Sequence, residues 1–478
     1  MGVKPAYICM KKILSILLFL IFPLLVAVPG YMGWQTQRYM ESMATYIDQL
    51  PEYAASWSEY KRGWFKSDGV LHVVLKGANP LSESLDVALP FNVELSHGPV
   101  LLGNKIQLGW FHLQVSLQDK DEEYLQRVLS VKEGGPIYQL DARMGLHGHT
   151  KIEDRWLPFE YKEGDVQLVV QAYRGVGSVG IDRVLSYAFE VPSVEFISEP
   201  ASDAIVLEAV GGDVSVNLAK LQRANVAPGA FKLSIGKASS KNADDASMGF
   251  VAEEFLITGN TWLDDAETLF GTRSSFSLNT FVIPSAEVDI KNMVLDVAYE
   301  NISLVFIEQY QNIIASAPDA AGPSYWQEHV GALVLSQLLP YSPEISLEAL
   351  EFDSPEGHFS AEANLSVEGS AIAAANLTPQ NPMAVLPYLI FALEAVADEK
   401  VVSQLARRYM AEQMNQQDGI QDLTEAERSV LLDEQVEQLL GLIVAQQFTV
   451  LQNQRYSVEL DYKKGQALLN GQPMPLPF

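Results

Sequence analysis

A few short patterns in this 478-residue chain carry residue types that could do chemistry. His147-Gly-His149 puts two imidazoles two positions apart, on one face if extended, where their ring nitrogens could ligate zinc. His112, or the acids Asp141 and Glu153, could add ligands if the fold gathered them. A zinc site wants three or four donors, and the chain has no H-E-x-x-H and a single cysteine, so exposed strand histidines are expected. Gly175-Val-Gly-Ser-Val-Gly180 has the G-x-G-x-x-G spacing with which a backbone approaches a pyrophosphate at a helix N-terminus. That needs a helix afterwards. Ile181 to Ile197 is instead rich in β-branched and aromatic residues and holds Pro192, so a glycine-rich bend is expected. Ser58 to Lys61 and Ser234 to Lys237 fit S-x-x-K without the S-D-N or K-T-G that would make it a site, and no serine sits in G-x-S-x-G. Glu122-Glu123, Asp244-Asp245 and Asp264-Asp265 read as loop or helix-start acids. No D-x-D-x-D-G loop speaks for calcium. The expectation is a protein that is not an enzyme, with no catalytic residue, metal or cofactor. A hydrolase assembled from scattered residues is the catalytic alternative.

The elements that would position any site are mostly strands. Phe91, Val93 and Leu95 alternate with polar neighbours, as do Leu113, Val115 and Leu117, then Phe231, Leu233 and Ile235, and Phe359 through Val367. Period two means strands with one buried face, and no regular strand–helix–strand alternation appears. Turn chemistry at Gly134-Gly135-Pro136, Gly211-Gly212-Asp213, Ala227-Pro228-Gly229 and Ser354 to Gly357 separates them. Short helices are expected at Asp121 to Val131 and Tyr325 to Leu339, and a helical region from Met383 to Gln447. There Thr424 and Glu427 form a capping-box pattern, and Leu432, Val436, Leu439, Leu440 and Ile443 share one helical face. The fold class is α+β, mainly antiparallel β, with long twisted or curled sheet and a C-terminal helical region. The expected division is 35–240 and 241–382, both β-rich, then 383–450 helical and 451–478 a hairpin. Gly236 to Ser247 is the candidate boundary loop.

Lys11 and Lys12 precede an uncharged apolar run from Ile13 to Met32, with Tyr31 and Trp34 at its far end. Twenty residues is the helix length that spans ~30 Å of hydrocarbon. The exit, Val26-Ala27-Val28-Pro29-Gly30, lacks an A-x-A cleavage site, so residues 13–34 read as an uncleaved transmembrane anchor. All 60 acidic residues follow position 34, and only three of the 32 basic ones precede it. The positive-inside rule then leaves residues 1–12 in the cytoplasm and exports the rest. Met10, just before the lysines, is an alternative start. The net charge of −28 argues against nucleic acid as a partner. Cys9 precedes the anchor, so the exported part forms no disulfide.

Three segments carry a resemblance. Tyr60-Lys-Arg-Gly63-Trp64-Phe65-Lys-Ser67 follows the anchor, Leu95-Ser-His97-Gly98-Pro99 ends a strand, and Gly465-x-x-Leu-x-Asn470-Gly471-x-Pro473 closes the chain. Together with the anchor this resembles the YdgA-like family of bacterial envelope proteins, a family of unknown function. The resemblance implies a Gram-negative inner-membrane protein with its bulk in the periplasm, and no reaction. The amphipathic β units are more distantly similar to those of AsmA-like proteins, linked to phospholipid transport. Two binding roles follow. In the first, a periplasmic module binds apolar ligands such as lipid, or envelope partner proteins, with Leu113, Val115, Leu117, Leu365 and Val367 lining an apolar groove. In the second, Leu432, Val436, Leu439, Leu440 and Ile443 form a homodimer face.

Overall fold

In a computed structural model the described residues are 28–474, apart from 39, 43, 46, 49–52, 76–86, 103–105, 118–128, 132–135, 199–202, 222–225, 242–248, 319–321, 376 and 416–423. The alternation predicted from sequence becomes antiparallel β structure, in two compact units: Met1–Ala204 with Glu208–Ser215, and Ile205–Leu207 with Val216–Phe478. The division falls within the strand β14 (Asp203–Asn217), not at Gly236 to Ser247. Residues 236–241 of that stretch continue a strand, and 242–247 lie outside the described residues. Gly211-Gly212-Asp213, expected as a turn, also sits inside Asp203–Asn217.

The first unit opens with a helix between residues 28 and 48, its described residues being 28–38, 40–42, 44, 45, 47 and 48. Its strands are β1 (Tyr53–Arg62), β2 (Lys66–Leu75), β3 (Val87–His97), β4 (Val100–Leu102), β5 (Ile106–Leu108), β6 (Phe111–Leu117), β7 (Leu129–Val131), β8 (Tyr138–Met144), β9 (Thr150–Trp156), β10 (Phe159–Glu163), β11 (Val166–Val170), β12 (Tyr173–Val179) and β13 (Val184–Ser198). The main ladder runs β1-β2-β3-β6-β8-β9-β12-β13-β11-β10-β7, antiparallel throughout. Its apolar face receives the helix: Ala44 packs with Leu71 and Val93, and Trp57, Leu113 and Val115 close around them. Trp57 Nε1 donates to the Met40 carbonyl at 3.1 Å. Leu117 forms a neighbouring core with Ile137. The expected helix at 121–131 ends in strand β7, while 121–128 lie outside the described residues.

The G-x-G-x-x-G segment is not a bend but the strand β12, paired on both edges. Its glycines answer to packing. A Cβ on Gly175 would lie 1.9 Å from Tyr187 Oη and 2.1 Å from Asp154 Oδ1, and one on Gly177 2.7 Å from the Tyr187 ring. The bare backbone lets Tyr187 cross β12 and donate to Asp154 at 2.6 Å.

In the second unit β15 (Gly229–Lys241), β16 (Val251–Leu263), β17 (Leu269–Ile283), β18 (Val288–Ser303), β19 (Glu344–Ser354), β20 (Gly357–Val367), β21 (Leu389–Asp398), β23 (Arg455–Lys463), β24 (Gln466–Leu469) and β25 (Gln472–Met474) pair in that order, with β22 (Val450–Gln452) also on β23. The helices are Leu304–Ser316, Pro323–Leu333, Gly369–Ala374, Glu399–Asn415 and Glu425–Ala445. The expected helix at 325–339 is the second of these, followed by a π turn over Val334–Leu338. The expected helical region from Met383 begins as a 3₁₀ turn and the strand β21. Leu389 to Ala397 is a short apolar run that periodicity cannot assign by itself, and the open edges of β20 and β23 recruit it. The capping box at Thr424 and Glu427 is formed. Thr424→Ala removes the hydroxyl that holds the Glu427 amide. It should cost the helix Glu425–Ala445 about 1 kcal/mol, read as faster amide exchange in its first turn.

Candidate functional site

The two N-terminal motifs, thirty residues apart, meet in one place. His97 is fully buried at 0%, and its Nε2 lies 2.7 Å from Oγ of Ser67, itself 1% exposed. Its Nδ1 is buried without a hydrogen-bond partner. The His97 amide donates to the Phe65 carbonyl at 2.8 Å, which ties the β1–β2 turn to the end of β3. Gly63 makes that turn: its amide donates to the Lys66 carbonyl at 2.9 Å, and a Cβ there would sit 2.3 Å from the same oxygen. Beyond His97, Gly98 donates to the Trp110 carbonyl at 2.7 Å, and Gly109 to the Pro99 carbonyl at 3.1 Å. A Cβ on Gly98 would lie 1.7 Å from the Gly109 carbonyl oxygen, so only glycine admits the crossing.

The helix of residues 28–48 closes this cluster. Gly33 lies on the His97 ring, its would-be Cβ 3.2 Å from Nε2, and Gly30 lies on Trp64, 2.9 Å from the ring. Tyr60 lies across Gly69, and burial pushes its hydroxyl above the ordinary phenol value. Burial likewise holds the His97 imidazole below its ordinary value. Phe65 is partly exposed at the turn. The pieces of the motif, weak apart, thus form one keyed contact between a helix and two strand ends.

The C-terminal motif builds turns in the second unit. Lys464-Gly465 and Asn470-Gly471 each have both residues at positive φ, which fits the two-residue hairpin turns that demand it. The Asn470 side chain accepts from the Glu459 amide at 2.9 Å and donates to the Gln447 carbonyl at 2.8 Å, fixing the last hairpin to the end of the helix Glu425–Ala445.

Of the five residues expected in a groove, Leu113, Val115 and Leu117 belong to the closed cores of the first unit, because the helix and Ile137 cover them. Val367 is buried in the second unit, whereas Leu365 is 37% exposed. Leu365 lies in a row of direct cross-strand partners, Tyr299, Ile345, Leu365, Phe391 and Tyr462, across five strands. Tyr299 and Ile345 are 41% and 43% exposed. The adjoining row on the same face is Val297, Leu347, Ala363, Leu393 and Leu460. The helix Glu399–Asn415 packs on β20, β21 and β23, where Ala361, Ala397, Val401 and Tyr456 are buried. The face is therefore covered beside these rows and half open along the first. Of the expected dimer face, Val436 is buried and Leu432, Leu439, Leu440 and Ile443 are half-buried in the single chain. That stripe is spent on its own unit, where Val436 and Leu440 line a cleft with Glu399, Leu451 and Tyr456.

Of the residues that could do chemistry, His147 and His149 are exposed on the turn between β8 and β9. His112 does meet Asp141, at 2.6 Å, but Arg143 stands 3.6 Å from the same carboxylate and fills the place of a metal with a cation. Among the described residues no three His, Cys, Asp or Glu side chains could hold a metal ion. Ser58 bonds His72 at 2.7 Å, and Lys237 pairs with Glu253 at 3.6 Å, so neither S-x-x-K pair is assembled. Asp264 caps its own turn through the Thr268 and Leu269 amides, which hold its carboxyl below the usual range. Glu122-Glu123 and Asp244-Asp245 lie outside the described residues. Sequence reading missed the Asp154–Tyr187–Tyr173 network beside a cleft of about 850 Å³, since Asp154 sits between polar residues and carries no motif. Burial first, then Asp154, pushes the Tyr187 hydroxyl far up, so it stays a donor.

Residues 10–477 match the model of a family described as bacterial protein of unknown function, DUF945. The chain belongs to this family. Within curated proteins it is similar to Protein YdgA of Escherichia coli (strain K12), 23% identical over 472 residues, covering 93% of this chain and 91% of that one. No solved structure matches. The DUF945 match runs through all three motifs, so the helix–turn contact and the terminal turns both belong to the family region.

Gly98→Ala should abolish the native first unit or lower its melting temperature sharply, because the clash is with backbone. Gly145→Ala, whose nearest neighbour would be 3.8 Å away, should leave the melt nearly unchanged. Thermal unfolding followed by near-ultraviolet circular dichroism compares the two.

Proposed function

We propose that this DUF945 protein is a non-enzymatic, inner-membrane-anchored periplasmic protein that holds an apolar ligand, a lipid acyl chain, on the half-open face of its second unit. The observation that carries the reading is the row Tyr299, Ile345, Leu365, Phe391 and Tyr462. Four inter-strand steps of ~4.8 Å make it ~19 Å long. An acyl chain reaches across one leaflet, half of ~30 Å of hydrocarbon. The floor of the row offers dispersion and area, since Tyr462 Oη already donates to the Leu386 carbonyl at 2.9 Å. Each methylene buried there contributes about 0.8 kcal/mol. The anchor reading rests on the apolar run that begins at Ile13: residues 13–27 lie outside the described residues, and residues 28–34, expected in the anchor, are instead the start of the helix whose Gly30 and Gly33 pack on Trp64 and His97 of the first unit. Among the described residues no helix is long and apolar enough to cross a membrane. What supports the anchor is the uncharged run after Lys11 and Lys12 and the acidic remainder.

Two measurements test the proposal. Full-length protein extracted in detergent and analysed by native mass spectrometry should carry a bound lipid. Leu365→Glu should reduce its occupancy at least tenfold, because a carboxylate cannot be buried unpaired. A ligand-free mass for the folded wild type sinks the lipid reading. Removal of residues 1–27 should release the chain from the membrane fraction, and retention there sinks the anchor.

A further inference from the structure

The keyed contact of the first unit holds a group that its packing leaves unsatisfied. A neutral imidazole has one N–H and one bare nitrogen, and each wants a partner. Ser67 serves Nε2, while Nδ1 stays buried with none. A buried nitrogen without a partner loses its hydration and gains nothing in exchange. The lid over the ring is the helix of residues 28–48, which touches it through Gly33, a residue with no side chain to offer. We propose that this helix is a proton-released latch: uptake of one proton by His97 loosens the helix from the strand ends of the first unit.

The chemistry is a single protonation. The imidazolium has two N–H donors and a full charge. One donor keeps Ser67, and the other points where no acceptor stands, so the charged ring gains its solvation only when the helix lifts. Other titratable groups on the packed elements do not stand in for it. They are Tyr31, Arg38, Glu41 and Asp48 on the helix, Tyr53, Glu59, Tyr60, Lys61 and Arg62 on β1, Lys66, Asp68 and His72 on β2, Glu94 on β3, and His112 on β6; His72 lies on the face opposite Ser67 and bonds Ser58 at 2.7 Å. Ser67 and His97 share the face of Leu95, so Lys66, Asp68, Glu94 and His112 alternate to the opposite face. His112 is engaged there with Asp141. Burial is what holds the His97 imidazole below its ordinary value. The sign follows. The closed state binds the proton less well than the opened one, so its stability is complete above the free imidazole value of ~6.5 and falls as pH drops below it. One pH unit below that value, opening is favoured by up to about tenfold.

The helix also carries Trp57 and Ala44 contacts into the main core, so release at His97 loosens a real seam and not a fraying end. The test is hydrogen exchange of the full-length protein in detergent at pH 7.5 and 5.5, corrected for intrinsic rates and read at residues 28–38. Wild type should open about tenfold more often at pH 5.5, and His97→Gln, which keeps a partner for Ser67 and does not titrate, should show no rise. Equal protection of the wild type at both values overturns the latch. A rise that persists in His97→Gln also overturns it and assigns the effect to another titrating group on the packed elements, His72 and His112 included. If His97→Gln fails to fold, the wild-type His97 ring proton followed by NMR decides: titration in step with the loss of helix protection supports the latch, and titration near pH 6.5 with the helix still protected refutes it.

Discussion

The structure rests on one constraint: an antiparallel sheet with an apolar face must find something to put against it. Each unit has more such face than helix to cover it. In the first, a single helix supplies Ala44 and admits Leu71, Val93, Leu113 and Val115 beneath it. In the second, a row through Leu233, Ile257, Phe276, Leu295, Leu350, Ala361, Ala395 and Val458 crosses eight strands. At a coefficient of about 25 cal/mol per Å² of apolar surface removed from water, leaving part of that face half open is a large forgone stabilisation.

Glycine manages the tight spots. At Gly30, Gly98, Gly175 and Gly259 the neighbouring ring, side-chain oxygen or backbone occupies the space a side chain would take, and at Gly33 the His97 ring comes close to it. Phe231 lies over Gly259 and Trp262 over Gly271, the same device repeated in the second sheet. This is aromatic packing across a strand, and it explains a glycine spacing that imitates a phosphate loop.

Strands were legible because period two is local: Phe91 to Leu95 or Phe359 to Val367 shows its buried face without any partner. Caps and turns were legible for the same reason, as at Thr424 and Lys464-Gly465. What a strand face packs against is not local. Val115 and Leu365 look alike in sequence, yet one lies under a helix and the other is part of a half-open row. The His97–Ser67 bond joins residues thirty positions apart, and nothing in either neighbourhood announces the other. Leu389 to Ala397 was misread as helix because an apolar run takes its form from the edges it finds.

The strand β23 has a consequence in time rather than in space. It pairs with β21, and between the two lie the helices Glu399–Asn415 and Glu425–Ala445. β21 therefore keeps one edge open, and its apolar side chains in water, until that long connection has folded back. Closing a long loop costs entropy that grows with the logarithm of its length, and the helix pair shortens the search by condensing the connection first. Helix pairing is fast and local, and sheet closure waits on it. Until β23 arrives, the unpaired edge of β21 is a template for strands of other chains.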